Sequence, residues 1–337
     1  MREADNVGTL VPSKPGYDRV QITVRRQAGT SAEMPQEPGH FHLLPGCARL
    51  MLLHERAYAG HPQPQGHHVS GRERKERAMK RTRHLEALAL LQRSEQAQPM
   101  LITDAHLTGL PEPVQRYLRY AGVVGKAPIR TVRLKQHGWM RQQPGQKWMP
   151  LDAEQYVTTK PPAFLWHCKM RPFPLVWVSA TDQFSQGHGS MRIKLLSAIP
   201  LGNAHGPEMD QGELQRYLAE MIWFPTAWLS DAIEWQAIDA NSVQATFREP
   251  GVTGSVVLHM NEQGQLTNVT ADRYKEEHGH YLLAPWSAQC NEYQEVEGMH
   301  IPTRIEITWH LASGEFTWFR VEITEIEYNQ SGKVTRF

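Results

Sequence analysis

The sequence predicts an α+β fold: one large curved antiparallel sheet, a half-open barrel, with helices covering its concave face. Three observations carry this expectation. Apolar residues alternate with polar ones in run after run beyond residue 125, the period of a half-buried strand. Short turn signals join those runs, and strands joined by short turns are antiparallel because parallel ones need a crossover of about a dozen residues. Two segments switch instead to helical spacing.

The first helix is expected after Pro111 and Pro113, where Val114, Tyr117, Leu118 and Ala121 repeat at helical spacing and Gly122 can take the left-handed C-terminal position. After Gly125 the period becomes two. Val132 and Leu134 alternate with Arg133 and Lys135, Pro144-Gly145 turns the chain, and a strand returns from Trp148 to Thr159. Phe164, Trp166, Cys168 and Met170 alternate next, Leu175–Val178 is apolar on both faces, and Met191, Ile193 and Leu195 follow the loop Gly187-His188-Gly189. The second helix reads as opening on a capping box, Asp210 with Glu213. Leu214, Tyr217, Leu218, Met221 and Ile222 then form one apolar face, and Pro225 ends the helix. Hairpins complete the chain. Val256, Leu258 and Met260 lead to a turn at Gly264, and Val269, Ala271 and Arg273 return. Ile305, Ile307, Trp309 and Leu311 alternate up to Ser313-Gly314, and Phe319, Val321 and Ile323 come back. Phase slips at Trp318/Phe319 and before Ile326 predict β-bulges.

Organisation follows from where the aromatics and charges fall. All ten Trp lie between Trp139 and Trp318, whereas residues 1–98 hold only Tyr17, Phe41 and Tyr58 among the aromatics and carry a net charge of +5. Residues 1–70 lack the apolar surface to offset ordering entropy, and are expected to be a disordered or non-native leader. Met79 offers an alternative start. Residues 71–98 read as a basic helix or linker, with Met79, Leu85, Leu88 and Leu91 striped beside six basic residues. That pattern suits a solvated helix, with peripheral membrane contact as the alternative. Residues 99–337 read as a single α+β sheet domain.

Composition excludes several classes. With 36 basic and 35 acidic side chains, net +1, the chain lacks the charge signature of a nucleic-acid binder. No apolar run reaches membrane-spanning length and no signal peptide is legible, so the default expectation is cytoplasmic. Cys47, Cys168 and Cys290 lie too far apart for a disulfide framework or a metal motif. His278 and His280 would share a face of an extended segment, with Glu276 or Glu277 able to add an oxygen. Zinc needs three or four converging ligands, so no metal is expected. No phosphate loop, dinucleotide fingerprint or nucleophile elbow occurs, and no cofactor is expected.

Two features point to function. Arg273 follows Val269 and Ala271 in phase, which aims a charge inward unless the strand end carries it to solvent. An inward Arg273, with Tyr274 beside it, suits the mouth of a cavity, gripping a carboxylate or phosphate headgroup. Trp166, Trp177, Trp223, Phe224 and Trp228 are also bulky for a flat helix–sheet interface, and a curved sheet would leave an apolar cavity between them.

Leu110–Leu118, Lys160–Trp166, Gly187–Met191 and above all Gly212-Glu-Leu-Gln-Arg-Tyr-Leu-Ala-Glu-Met-Ile-Trp-Phe-Pro-Thr226 resemble one bacterial family of unknown function. Trp235–Asp239 and Arg273-Tyr274 match the same pattern, which spans roughly Leu107 to Asn329. The resemblance brings no catalytic residues. Many relatives begin with membrane-spanning segments, where this chain has its Pro- and His-rich leader. At the level of fold alone, the order of helix, hairpins, helix and hairpins is similar to the bacterial lipoprotein-localisation carriers. These imply a half-open barrel around an apolar cavity.

The resulting expectation is non-enzymatic binding of an apolar or amphipathic, lipid-like ligand between sheet and helix, with Trp166, Trp223, Phe224, Trp228, Arg273 and Tyr274 as site residues. The alternatives are an enzyme using Asp182 and Glu220 as an acid pair in the same cleft, or a protein-interaction module on the sheet face.

Overall fold

The computed structural model describes residues 86, 87, 89–92, 100–173, 176–277 and 279–329. The expectations for residues 1–70, and for most of residues 71–98, lie outside the described residues. Where described, residues 86–92 are helical, and Ala87 packs with Leu90 and Leu91 against Tyr156 and Leu165.

Helix α1 runs Glu112–Tyr120. It ends as its glycine requires. Gly122 takes φ +73°, its N–H reaches Arg119 O at 3.1 Å, and the Val123 N–H reaches Leu118 O at 3.2 Å, a Schellman cap. Six strands then meander: β1 (Thr131–Met140), β2 (Met149–Thr159), β3 (Pro162–Phe173), β4 (Val176–Ser185), β5 (His188–Leu195) and β6 (Ile199–His205). Helix α2 (Pro207–Glu220) and the 3-10 turns Met221–Trp223 and Pro225–Leu229 carry the chain away. A second meander follows: β7 (Ile233–Ala237), β8 (Ser242–Glu249), β9 (Val252–Met260), β10 (Leu266–Glu277), β11 (His280–Val296), β12 (Met299–Leu311) and β13 (Gly314–Tyr328).

The two meanders join into one 13-stranded sheet because β13 pairs with β1. The order is β6-β5-β4-β3-β2-β1-β13-β12-β11-β10-β9-β8-β7, and every neighbouring pair is antiparallel. The sheet is a curved half-barrel. Helix α2 links its two edge strands and packs against β4, β5 and β6 of one meander and β8, β9 and β10 of the other. Both predicted bulges are present. The β12–β13 register steps from Ile307↔Phe319 to Thr308↔Thr317, leaving Trp318 unmatched, and the β1–β13 register skips Thr324.

The start of α2 corrects the sequence reading. The helix begins at Pro207, with Gly206 at φ +118° before it, so Asp210 and Glu213 are not its cap. Proline at the first helical position is pre-organised for that role, and it outranks the capping-box pattern three residues on. The Asp210 carboxylate instead accepts the Gly189 N–H of β5 at 2.7 Å. Among the described residues no helix is long and apolar enough to cross a membrane.

Candidate functional site

A cavity of about 590 Å³ opens against the sheet, walled by α2, the turn Met221–Trp223 and side chains from β1–β6 and β10–β13. Its volume falls in the range that holds a small organic molecule, about 300–1,000 Å³. Much of the wall is apolar, including Met170, Met191, Ile193, Ile305, Ile307 and Trp309. Strand periodicity explains how they converge: alternate residues of each strand face one side, and bulges keep the phase where β13 turns.

One part of the wall is charged. Arg216 on α2 donates from Nη1 to Asp182 Oδ2 at 2.7 Å and from Nε to Glu220 Oε1 at 2.7 Å, with Glu213 Oε2 3.8 Å away. Its guanidinium also lies over the rings of Phe164 and Trp166, each 4.9 Å to the centroid. Gln155 Nε2 donates to the other Glu220 oxygen. Gln136 makes a long 3.5 Å contact to Gln155 Oε1, and Trp166 Nε1 donates to Gln136 Oε1 at 2.7 Å. The cross-strand register builds this chain of contacts, because Gln155, Trp166 and Asp182 stand opposite one another on β2, β3 and β4. Arg273 completes the cluster. It lies over the Trp286 ring at 4.9 Å and donates from Nη2 to Gly212 O at 2.6 Å.

Burial shifts these groups. Removal from water pushes the Glu213 carboxyl up to about 8, and neighbouring Asp182 adds to the rise against the pull of Arg216 and Arg273. Desolvation also raises Asp182, with Arg216 opposing. Burial lowers Arg273 to about 10 despite the carboxylate of Glu213. Arg216 resists the same burial, because Glu220, Glu213 and Asp182 together hold its charge firmly in place.

The residues singled out from sequence divide. Trp166, Trp223, Arg273 and Tyr274 line the cavity. Phe224 and Trp228 do not. Both are fully buried in the hydrophobic core, where Trp228 stacks on Tyr117 at 4.2 Å between ring centroids and Phe224 lies 5.8 Å from Tyr217. Both sit at or within the 3-10 turns after α2, and side-chain bulk alone does not say which way such a turn directs them. Trp177 also lies outside the cavity wall, donating to Ser197 Oγ at 2.9 Å. Arg273 does not reach out to solvent from a strand end; its guanidinium packs on Trp286.

Asp182 and Glu220 do converge, through Arg216, which stands between them as a shared partner. The Arg216–Glu220 pair, one turn apart on α2, is largely shielded from solvent beside the cavity. Glu213, Arg216, Gln136 and Gln155 were not read as site residues. Asp182 carried a usable signal, since it falls in phase with Val178, Ala180 and Phe184 and so aims a carboxylate inward. Among the described residues no group of three His, Cys, Asp or Glu is placed to hold a metal ion, and His278 lies outside them.

Comparison with known proteins gives a family and little more. The profile of a "Family of unknown function" matches residues 100–321. No curated protein matches the chain in sequence. Similar solved structures include a DUF1329 family protein from Desulfovibrio piger, at 8% identity over 65% of this chain and 92% of that one, TM-score 0.37. A putative outer membrane lipoprotein-sorting protein domain from Vibrio parahaemolyticus is similar at 7% identity over 60% and 86%, TM-score 0.35. A LolA superfamily protein from Nitrosomonas europaea is similar at 11% identity over 64% and 94%, TM-score 0.36. At such scores the likeness carries no argument about function.

Proposed function

We propose that this chain, which belongs to the DUF6544 family of unknown function, binds an apolar or amphipathic, lipid-like ligand. The cavity against the sheet is the site, and α2 lies over the concave face as its cover. The observation that carries this reading is the cavity of about 590 Å³, whose wall is mostly apolar, with Met, Ile and Trp side chains prominent, and includes the charged cluster around Arg216. A pocket of that composition gains from burying a hydrocarbon chain, roughly 0.8 kcal/mol per CH₂, while the polar cluster fixes the orientation of the headgroup. Trp166 and Trp223 supply aromatic wall, and Arg273 and Tyr274 stand at the polar part. Leu282 and Leu283, both more than half exposed on β11 beside Tyr274, are suited to touching a membrane surface while ligand passes.

The test is titration of purified protein with a fluorescent long-chain amphiphile, read by quenching of Trp fluorescence. Saturable one-to-one binding at micromolar concentration, weakened by Trp166→Ala, is expected. Absence of saturable binding would rule the reading out.

One observation favours a second reading. Asp182 and Glu213 are buried acids with raised pKa values on a cavity wall, a common setting for acid–base chemistry. An enzyme acting on the ligand would alter it, so mass spectrometry of ligand recovered after long incubation separates the two. Unchanged ligand supports the carrier.

A further inference from the structure

The charged part of the cavity wall holds buried polar atoms whose needs the protein leaves unmet. Among the described residues, none makes a hydrogen bond to Asp182 Oδ1, Glu213 Oε2 or Arg273 Nε. All three side chains line the same cavity. An unsatisfied buried donor or acceptor is destabilising, so three on one wall select for a ligand that supplies the missing partners. Their chemistry is mixed. Arg273 Nε can only donate, an ionised Asp182 can only accept, and Glu213 accepts or, when protonated, donates.

Charge narrows the choice. The cluster holds three carboxyls, Asp182, Glu213 and Glu220, against two guanidiniums, Arg216 and Arg273. Arg216 is already engaged by Asp182 and Glu220 at 2.7 Å each. A carboxylate or phosphate brought to Arg273 would add a net negative charge to a buried cluster whose charges are close to balanced, and would lose its own hydration. An ammonium would meet the opposite difficulty, since it must stand beside Arg273. Glu213 titrates only near 8, so at neutral pH the cluster is close to balanced and neither sign of ligand charge is rewarded.

We propose that the headgroup recognised by Asp182, Glu213 and Arg273 is uncharged and hydroxyl-bearing, of the kind a monoacylglycerol presents. A hydroxyl donates to Asp182 Oδ1, an ester or hydroxyl oxygen accepts from Arg273 Nε, and a second hydroxyl meets Glu213. This inference rests on the lipid-binding reading and refines it. It also revises the expectation that Arg273 grips an anion, because with Glu213 protonated the two remaining carboxylates already balance the two guanidiniums of the cluster.

The experiment compares three ligands with the same twelve-carbon chain: 1-lauroylglycerol, laurate and dodecylamine. Each displaces a neutral fluorescent apolar probe from the wild-type protein at neutral pH, below its micelle concentration. The expected result is that 1-lauroylglycerol binds at least ten-fold more tightly than either charged ligand. In Asp182→Asn, which removes one negative charge, laurate should gain about ten-fold and the preference should collapse. Should that variant fail to fold, the wild-type series decides alone. Laurate or dodecylamine matching or exceeding 1-lauroylglycerol would overturn the headgroup assignment while leaving lipid binding intact. Failure of all three and of the probe would overturn both.

Discussion

Arg216 on α2 donates to Asp182 on β4 across 2.7 Å, beneath a cavity wall otherwise rich in hydrocarbon. That contact fixes the helix to the first meander, while Gln215 Nε2, one residue earlier, donates to Ser255 O and Asp272 O of the second at 3.2 and 3.0 Å. The cavity therefore depends on a helix held from both sides, with the charged cluster as one of its fastenings.

Removing that cation should be severe. Arg216→Met leaves Asp182, Glu213 and Glu220 without the guanidinium that lies within 4 Å of all three, and breaking a buried pair by deleting one partner costs about 3–5 kcal/mol. Urea unfolding should show that loss. Arg216→Lys keeps the charge but not the two-pronged geometry, and should fall between. An Arg216→Met protein as stable as wild type would mean the cluster does not hold α2.

Stability should also carry the signature of Glu213. Its carboxyl rises from the usual 4.5 to about 8 on folding, so between those values the folded protein binds a proton that the unfolded chain releases. This contribution is fully present below about 4.5 and is lost as pH rises through about 8. Glu213→Gln cannot titrate. The variant should therefore gain on wild type, by an amount on the order of a few kcal/mol, as pH is raised across that window. Unfolding curves taken at several pH values check it, and parallel profiles would contradict it.

The contact between α2 and β5 is tight enough to be tested with a methyl group. A Cβ on Gly189 would come within 2.7 Å of Met209 O and 2.9 Å of Glu213 Cγ. Gly189→Ala should cost about 1–3 kcal/mol by overpacking. Asp210→Ala should cost a similar amount, about 1.5–3 kcal/mol, because it removes a charged acceptor from the Gly189 N–H rather than a helix cap. Thermal or urea unfolding of each single variant measures both.

The aromatics should separate by position. Trp228→Ala empties a core site stacked on Tyr117 and should cost roughly 3–5 kcal/mol while leaving amphiphile affinity unchanged in the folded fraction. Trp166→Ala should weaken amphiphile binding, because its ring borders the cavity. Equal effects of the two on affinity would contradict the division between core and wall.

How far the sequence carries the fold is visible strand by strand. Phe164, Trp166, Cys168 and Met170 alternate cleanly and are all buried on β3, and the phase slip at Trp318 is a bulge in space. β6 is an edge strand whose residues are mostly exposed, so no apolar alternation marks it. β11 mixes faces along seventeen residues and contains Pro285, which hides its length. β8 alternates Val243, Ala245 and Phe247, a signal that goes unused without the neighbours that give it meaning. The site is less legible than the fold. Gln136, Gln155 and Asp182 each sit in an inward phase on their own strand, but only the sheet register shows that Gln155 and Asp182 flank Trp166 in one row, with Gln136 diagonal to Gln155. The bulk of Phe224 and Trp228 suggests a cavity wall, but side-chain size carries no direction, and the 3-10 turns after Glu220 set both in the core.

The most direct test of lipid-like binding is native mass spectrometry of the purified protein beside Ala288→Trp, which sets an indole into the cavity from β11. Wild type is predicted to carry a one-to-one adduct of lipid mass that gentle activation releases, and to rebind an amphiphile after stripping. Ala288→Trp, folded as judged by its unfolding midpoint, is predicted to carry none. A wild-type protein that neither retains nor rebinds any amphiphile, or a folded Ala288→Trp protein that keeps the same adduct, would contradict the account.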